Sequence, residues 1–369
     1  MKQIKEEKTI SYKVRSYLMI LCALLLFIFA IDLLTSAMGQ LNNDVATEII
    51  QATRNPFISL FVGLLVTALI QSSSTVTASV VAIVASGNMT LQQAVPMVLG
   101  ANIGTTLTST LVSFTFLSKK KEFRRALSAG ISHDLFNILS VLILFPLELY
   151  FNLLSKASER IAQLFSTGSD STADFKYNRM FTRNLTEWIV ENINIPFLAT
   201  ILAVFLVFFS IKILTTSVYK VFVLDAFQDI SKAIFKNTGL SFLYGIFFTA
   251  AVQSSTVTTC LVVPLVANRK VSLARAFPFI IGANIGTTIT AVIASMYKTE
   301  AAIALAFAHL LFNSIGALIF FPFPEIRRIT VRLADYIGRT SVKYRTVGFI
   351  YILLTFFIIP FLLIYFSRD

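Results

Sequence analysis

"FISLFVGLLVTALIQSSSTVTASVVAIVASG" fills residues 57–87, and whether it crosses a membrane once or turns back on itself decides the fold. No charged residue occurs from Asn55 to Ser118, yet a glutamine and a row of hydroxyls interrupt this apolar run at 71–75. Taking such groups out of water without partners costs roughly 1–3 kcal/mol each. They must therefore be satisfied by backbone, by one another, or by something that binds.

The rest of the chain is of the same kind. Of its 369 residues, 56% are hydrophobic and 14% charged, whereas a soluble domain carries about 25% charged residues. Further apolar runs at 17–39, 141–151, 196–211 and 348–366 mark a polytopic membrane protein, the longest reaching the ~20 residues that cross a bilayer. The first run is too long for a signal-peptide core and no small-residue cleavage pattern follows soon after, so it reads as a retained span. Cys22 and Cys260 both lie in apolar segments, which argues against a disulfide framework. A net charge of +12 sits in short connections beside the spans, which is an orientation signal and not a nucleic-acid footprint.

Residues 71–108 align without a gap with 253–290, and 19 of the 38 positions are identical. "QSSST" (71–75) answers "QSST" (253–256), "GANIGTT" occurs at 100–106 and 282–288, and "HDLFN" (133–137) answers "HLLFN" (309–313). The chain is an internal duplication.

The segment before the first polar run has 14 residues, about 21 Å as a helix, and the segment after it is shorter. Either 57–87 is a re-entrant hairpin with QSSST at its tip, or it is one long span with QSSST at its middle. With the basic amino terminus inside, a hairpin lets the span at 92–117 deliver "KKKEFRR" (119–125) to the cytoplasm, whereas a single crossing puts that cluster outside. A second hairpin at 240–268 keeps "NRKVSLAR" (268–275) and the basic segment 325–345 inside as well. The connection 152–194 then lies outside, with "STGSDSTADF" (166–175) as a mobile loop.

The expected fold is an all-α polytopic membrane protein of two inverted repeats, 1–151 and 195–323. Each has three transmembrane helices plus a re-entrant hairpin, and a basic cytoplasmic segment and one extra span follow at 324–369. Three spans per repeat is odd, so the repeats face opposite ways, with a site near the midplane. A hairpin tip offers free N–H groups and a positive dipole end to an anion, and free carbonyls with hydroxyls to a hard cation. We expect broken helices at about 92–117 and 274–297, interrupted at Gly100–Gly104 and Gly282–Gly286 and facing the tips. The competing reading of GANIG is small-residue helix packing.

His133 and His309 read as membrane histidines bonded to neighbouring helices, Asp32 and Asp134 as makers of local polar contacts, and the 35 phenylalanines as lipid-facing filler. No nucleophile elbow, metal-ligand cluster or nucleotide loop occurs in the sequence, so an enzyme is not expected. A serine hydrolase using Ser72 or Ser73 with His133 is the weak alternative and an anion channel the more serious one; opposed hairpins favour alternating access.

The paired QSS and GANIGTT runs, with "EFRRALSAGISHDLFNILSVLILFPLE" (122–148), resemble the type II sodium-dependent phosphate cotransporter family over roughly 20–325. The resemblance implies sodium-coupled phosphate import, with another small oxyanion or proton coupling as alternatives, and no cofactor beyond sodium as co-substrate. It assigns Ser72, Ser73, Ser74, Ser254, Ser255, Asn102 and Asn284 to phosphate. Gln71, Thr75, Thr105, Gln253, Thr256 and Thr287 fall to sodium. The second run departs from the family pattern: Thr256 keeps a hydroxyl in the fourth place, but Val257 in the fifth has none.

Overall fold

A computed structural model describes residues 2–41, 47–48, 51, 53–166, 182–193, 195–223, 233–296, 298–344 and 346–366; most of the 166–175 stretch lies outside the described residues. Helices account for every regular element among them. The first half contains α1 (Lys2–Gly39), α2 (Pro56–Ile70), α3 (Ser73–Ala85), α4 (Leu91–Ser113) and α5 (Lys120–Phe151). Two amphipathic helices follow, α6 (Leu153–Ser166) and α7 (Arg183–Ile193). The second half contains α8 (Pro196–Val218), α9 (Thr238–Val252), α10 (Ser255–Ala267), α11 (Leu273–Thr287), α12 (Ile289–Ser295) and α13 (Glu300–Phe320). The chain closes with α14 (Pro324–Lys343) and a last apolar segment, Thr346–Phe366. Seven described helical segments are long and apolar enough to cross a bilayer, and α2, α3, α9 and α10 are shorter apolar helices. The protein is thus an all-α polytopic membrane protein.

Short polar signals start these helices. Asn55 caps α2 through Phe57 N at 2.9 Å, with Pro56 in the first turn. Thr90 and Gln93 form a reciprocal capping box at the start of α4. Glu148, buried near the end of α5, accepts from Leu154 N at 2.6 Å and from the Ser155 hydroxyl, and so holds the start of α6.

Packing shows how the chain travels between Pro56 and Ser113. Gly100 of α4 lies against Leu60 of α2, and Gly104 against Leu64 and Thr67, so the contact register advances in the same direction along both helices. The two helices are parallel. The chain therefore reverses between them, and α3, about 20 Å long, carries it back. The second half behaves alike: Ser241, Gly245 and Thr249 of α9 meet Arg275, Phe279 and Gly286 of α11. The turn after α3 sits at the end of α1, where the Asn88 side chain donates to Met38 O at 2.6 Å. The turn after α10 sits at the start of α5, where Arg125 Nε donates to Ala267 O at 2.7 Å. Helix α4 runs from the first turn to the start of α5, so the two turns lie at opposite ends of the bundle.

Two expectations need correction. Helix α4 runs unbroken through Gly100–Gly104, whereas the second span is interrupted at Thr288, between α11 and α12 and just past Gly282–Gly286 instead of at those glycines. The glycines serve close approach instead: a Cβ on Gly100 would overlap the Leu60 carbonyl oxygen, and one on Gly282 that of Phe242. The phenylalanines are not all lipid-facing either, since Phe27, Phe136, Phe277, Phe279, Phe312, Phe320 and Phe356 are fully buried. Phe136 packs edge-on against Phe277 and Phe320, joining α5 to α11 and α13.

Two ionic contacts tie distant segments together. Asp32 of α1 and Lys298, between α12 and α13, form a buried pair at 2.5 Å, with Thr182 donating to the same carboxylate. Burial pushes the Lys298 ammonium below its usual range while Asp32 pulls it back. At the other end, Arg124 of α5 grips both oxygens of Asp335 on α14, at 2.8 and 2.9 Å.

Candidate binding site between the two chain reversals

Each reversal is built from one glutamine and one serine. Gln71 ends α2 in the left-handed region (φ 58°), and Ser72 then caps α3 by accepting from Thr75 N at 3.3 Å. Gln253 ends α9 with φ 57°, and Ser254 caps α10 through Val257 N at 3.4 Å. The left-handed residue stops one helix, and the serine starts the next at a new angle. Capping through Val257 needs only its backbone, so the missing hydroxyl does not weaken the cap. What it removes is a side-chain pair, because Ser72 Oγ and Thr75 Oγ1 lie 2.8 Å apart in the first copy.

The two reversals meet. Ser74 Oγ donates to Gln253 O at 2.8 Å, and Thr290 Oγ1 of α12 lies 3.5 Å from both Ser74 Oγ and Gln253 O. Ser73, Ser74, Thr75, Gln253 and Ser255 are buried, Ser72, Ser254 and Thr256 are half-buried, and Gln71 is exposed. Gln253 Oε1 has no partner among the described residues. Neither do the buried hydroxyls of Thr67 and Thr249, one turn before each glutamine. Helix geometry leaves the first N–H groups of α3 and α10 without intrahelical partners, with positive dipole ends behind them. The place combines free N–H groups with unpaired oxygen, which suits an anion beside a cation.

Around it lies a second layer in which the halves exchange side chains. His133 Nε2 of α5 meets Asn284 Oδ1 of α11 at 2.9 Å, and Asn284 Nδ2 reaches Asn137 Oδ1 at 3.4 Å. In mirror fashion His309 Nε2 and Asn313 Nδ2 of α13 both meet Asn102 Oδ1 of α4 at 3.3 Å. A carbonyl oxygen only accepts, so each histidine donates from Nε2. All six side chains are buried. Thr105 and Thr287 donate back to Ala101 O and Ala283 O at 3.0 and 3.2 Å, which leaves their oxygens lone pairs to offer. Asp134 accepts from Thr110 at 2.9 Å and Tyr351 at 3.0 Å, joining α5 to α4 and the last apolar segment.

Of the expected residues, Ser74 and Gln253 meet across the two reversals, Gln71 is exposed, and Asn102 and Asn284 belong to the histidine layer. Sequence reasoning passed over Thr290, Thr67, Thr249, Asn137 and Asn313. The repeat held the signal for most of them, since Thr108 aligns with Thr290, Thr67 with Thr249, and Asn137 with Asn313.

A family model described as Na+/Pi-cotransporter matches residues 26–164 and 206–334. The chain is 30% identical over 423 residues to sodium-dependent phosphate transport protein 2A of Ovis aries, covering 93% of this chain and 66% of that protein. It is 27% identical over 441 residues to sodium-dependent phosphate transport protein 2B of Homo sapiens, covering 93% of this chain and 64% of that one. The chain therefore spans about two thirds of the length of these relatives. No solved structure matches it significantly.

Proposed function

The chain belongs to the Na+/Pi-cotransporter family, and from that premise we propose that it imports inorganic phosphate coupled to sodium, by alternating access at the place where the two reversals meet. The observation that carries this reading is the contact of Ser74 with Gln253 O: two residues 179 apart in the chain, one from each copy of the motif, meet at a single polar point. A transporter built from halves that face opposite ways needs such a point.

The stretches around both motifs, Asn55–Ser118 and Ser241–Asn268, carry no charge. A phosphate dianion gains only ~0.3–2 kcal/mol from each helix end, far less than its dehydration costs. Accompanying sodium ions would supply the missing charge, which supports co-transport. In this reading Ser72, Ser73, Ser74, Ser254 and Ser255 hold phosphate, while Asn102 and Asn284, engaged by His309 and His133, brace the site from the surrounding layer. Gln71, Thr75, Thr105, Gln253, Thr256 and Thr287 hold sodium.

The α2–α3 and α9–α10 units act as re-entrant hairpins entering from opposite sides, within inverted repeats 1–151 and 195–323. The parallel packing of α2 with α4 and of α9 with α11 supports this. With the amino terminus in the cytoplasm, 152–194 lies outside and α14 inside.

Uptake of labelled phosphate into proteoliposomes tests the proposal. Phosphate should accumulate against its gradient when sodium is imposed outside, potassium should fail to replace sodium, and arsenate should compete. Mere equilibration would indicate a channel. Accumulation that follows a proton gradient and ignores sodium would overturn the coupling.

A further inference from the structure

Three separate parts of the chain close around a cavity of about 410 Å³ where α5 begins. Arg125 and Ser128 come from α5, Arg269 and Ser272 from the turn between α10 and α11, and Arg332 and Asp335 from α14. The charges do not cancel. Asp335 is engaged by Arg124 and by Arg339, at 2.8 Å each. Arg125 spends its Nε on Ala267 O and stands 3.9 Å from Glu122. The side chains of Arg269 and Arg332, both exposed residues, have no ionic or hydrogen-bond partner among the described residues.

The backbone adds to this. Arg269 is held at φ 60°, a conformation costing a non-glycine residue about 1 kcal/mol or more, so the turn spends free energy to present an arginine where glycine would sit easily. Ser272 stands at the amino end of α11, a 15-residue helix, without using its side chain to cap it. The start of α11, at Ser272 and Leu273, with its positive helix end, borders the cavity beside the arginines.

We propose that this cavity binds a phosphate group, carried either by an anionic phospholipid headgroup or by free inorganic phosphate. Guanidinium forks match the oxygens of a tetrahedral phosphate, and basic pockets between helices at the cytoplasmic face are where such headgroups lodge. A phosphate here bridges the turn after α10 to α5 and α14, and so fastens the base of the second reversal to the rest of the bundle. Only its placement on the cytoplasmic side rests on the transport reading; the binding itself does not.

The test uses the full chain purified into sodium-free potassium buffer, which starves the proposed transport site of its cation. The test variant combines Arg269→Gly, which accepts φ 60° without strain, with Arg332→Ala on an exposed helix position. Binding of labelled inorganic phosphate is one arm. Binding of phosphatidic acid in phosphatidylcholine nanodiscs is the other. The double variant should weaken one of them by roughly tenfold or more, and the arm that responds identifies the source. Gln71→Ala with Gln253→Ala should leave the same binding intact, which separates this cavity from the transport site. Absence of binding in both arms, or binding that the double variant leaves unchanged, overturns the proposal.

Discussion

His133 donates from Nε2 to the Oδ1 of Asn284 at 2.9 Å, so a histidine from the first half of the chain holds the asparagine of the GANIG motif in the second. The reciprocal bond from His309 to Asn102 is longer, at 3.3 Å, and Asn102 Oδ1 has a second donor in Asn313. Truncating His133 leaves Asn284 Oδ1 buried with no partner, a loss of about 1–3 kcal/mol. His309→Ala leaves Asn313 in place. His133→Ala should therefore lower the thermal midpoint in detergent more than His309→Ala does. Equal shifts would mean that the two pairs are energetically equivalent despite their geometry.

Much of this was legible in the chain. The interruption of an apolar run by QSSST, and its recurrence, marks two polar points, and the placement of KKKEFRR selects a reversal over a single crossing at the first. Pairing was not legible. Periodicity shows that His133 and His309 correspond, but not that each bonds the asparagine of the other half, since a duplication is equally consistent with bonding within a copy. The glycines were misread for a related reason. A glycine that breaks a helix and one that admits a neighbour look alike until the opposite helix is known, and here Leu60 and Phe242 stand opposite. Lys298 finds Asp32 from 266 residues away, a separation that no local pattern spans.

Those glycines yield a sharp contrast in stability. Gly100→Ala and Gly282→Ala put a methyl group into a backbone carbonyl, where helix α2 or α9 must move. Overpacking of this kind costs about 1–3 kcal/mol and sometimes more. Gly39→Ala meets nothing within 4 Å and serves as the control. Fluorescence-detected size exclusion after heating should show early loss of the first two proteins and none for the third. Wild-type melting of Gly100→Ala would contradict the close approach of α2 to α4 at Leu60.

The Asp32–Lys298 pair calls for a double-mutant cycle. Both side chains are almost wholly buried, at 5% and 2% exposure. Removing one partner strands the other charge and should cost about 3–5 kcal/mol, whereas replacing both by apolar residues of similar size often restores stability. Asp32→Leu and Lys298→Met should each melt early, and the two together should recover much of the loss. If the double variant melts as early as the sum of the single losses predicts, the two residues do not interact.

The orientation of the two reversals is open to direct measurement. The turn after α3 lies with the end of α1 and the turn after α10 with the start of α5, at opposite ends of α4. Asn88 is too buried to label and is bonded to Met38, so the reporter positions are Gln92 and Lys270, both exposed. In a background with Cys22→Ser and Cys260→Ser, Gln92→Cys should react with a membrane-impermeant maleimide from outside intact cells. Lys270→Cys should react only after the membrane is opened. Basic residues flank Lys270 on one side as Arg269 and follow it as Arg275, which by the positive-inside rule holds that turn in the cytoplasm. Labelling of both cysteines from the same side would remove the opposed hairpins, and with them the reason to expect alternating access at the Ser74–Gln253 contact.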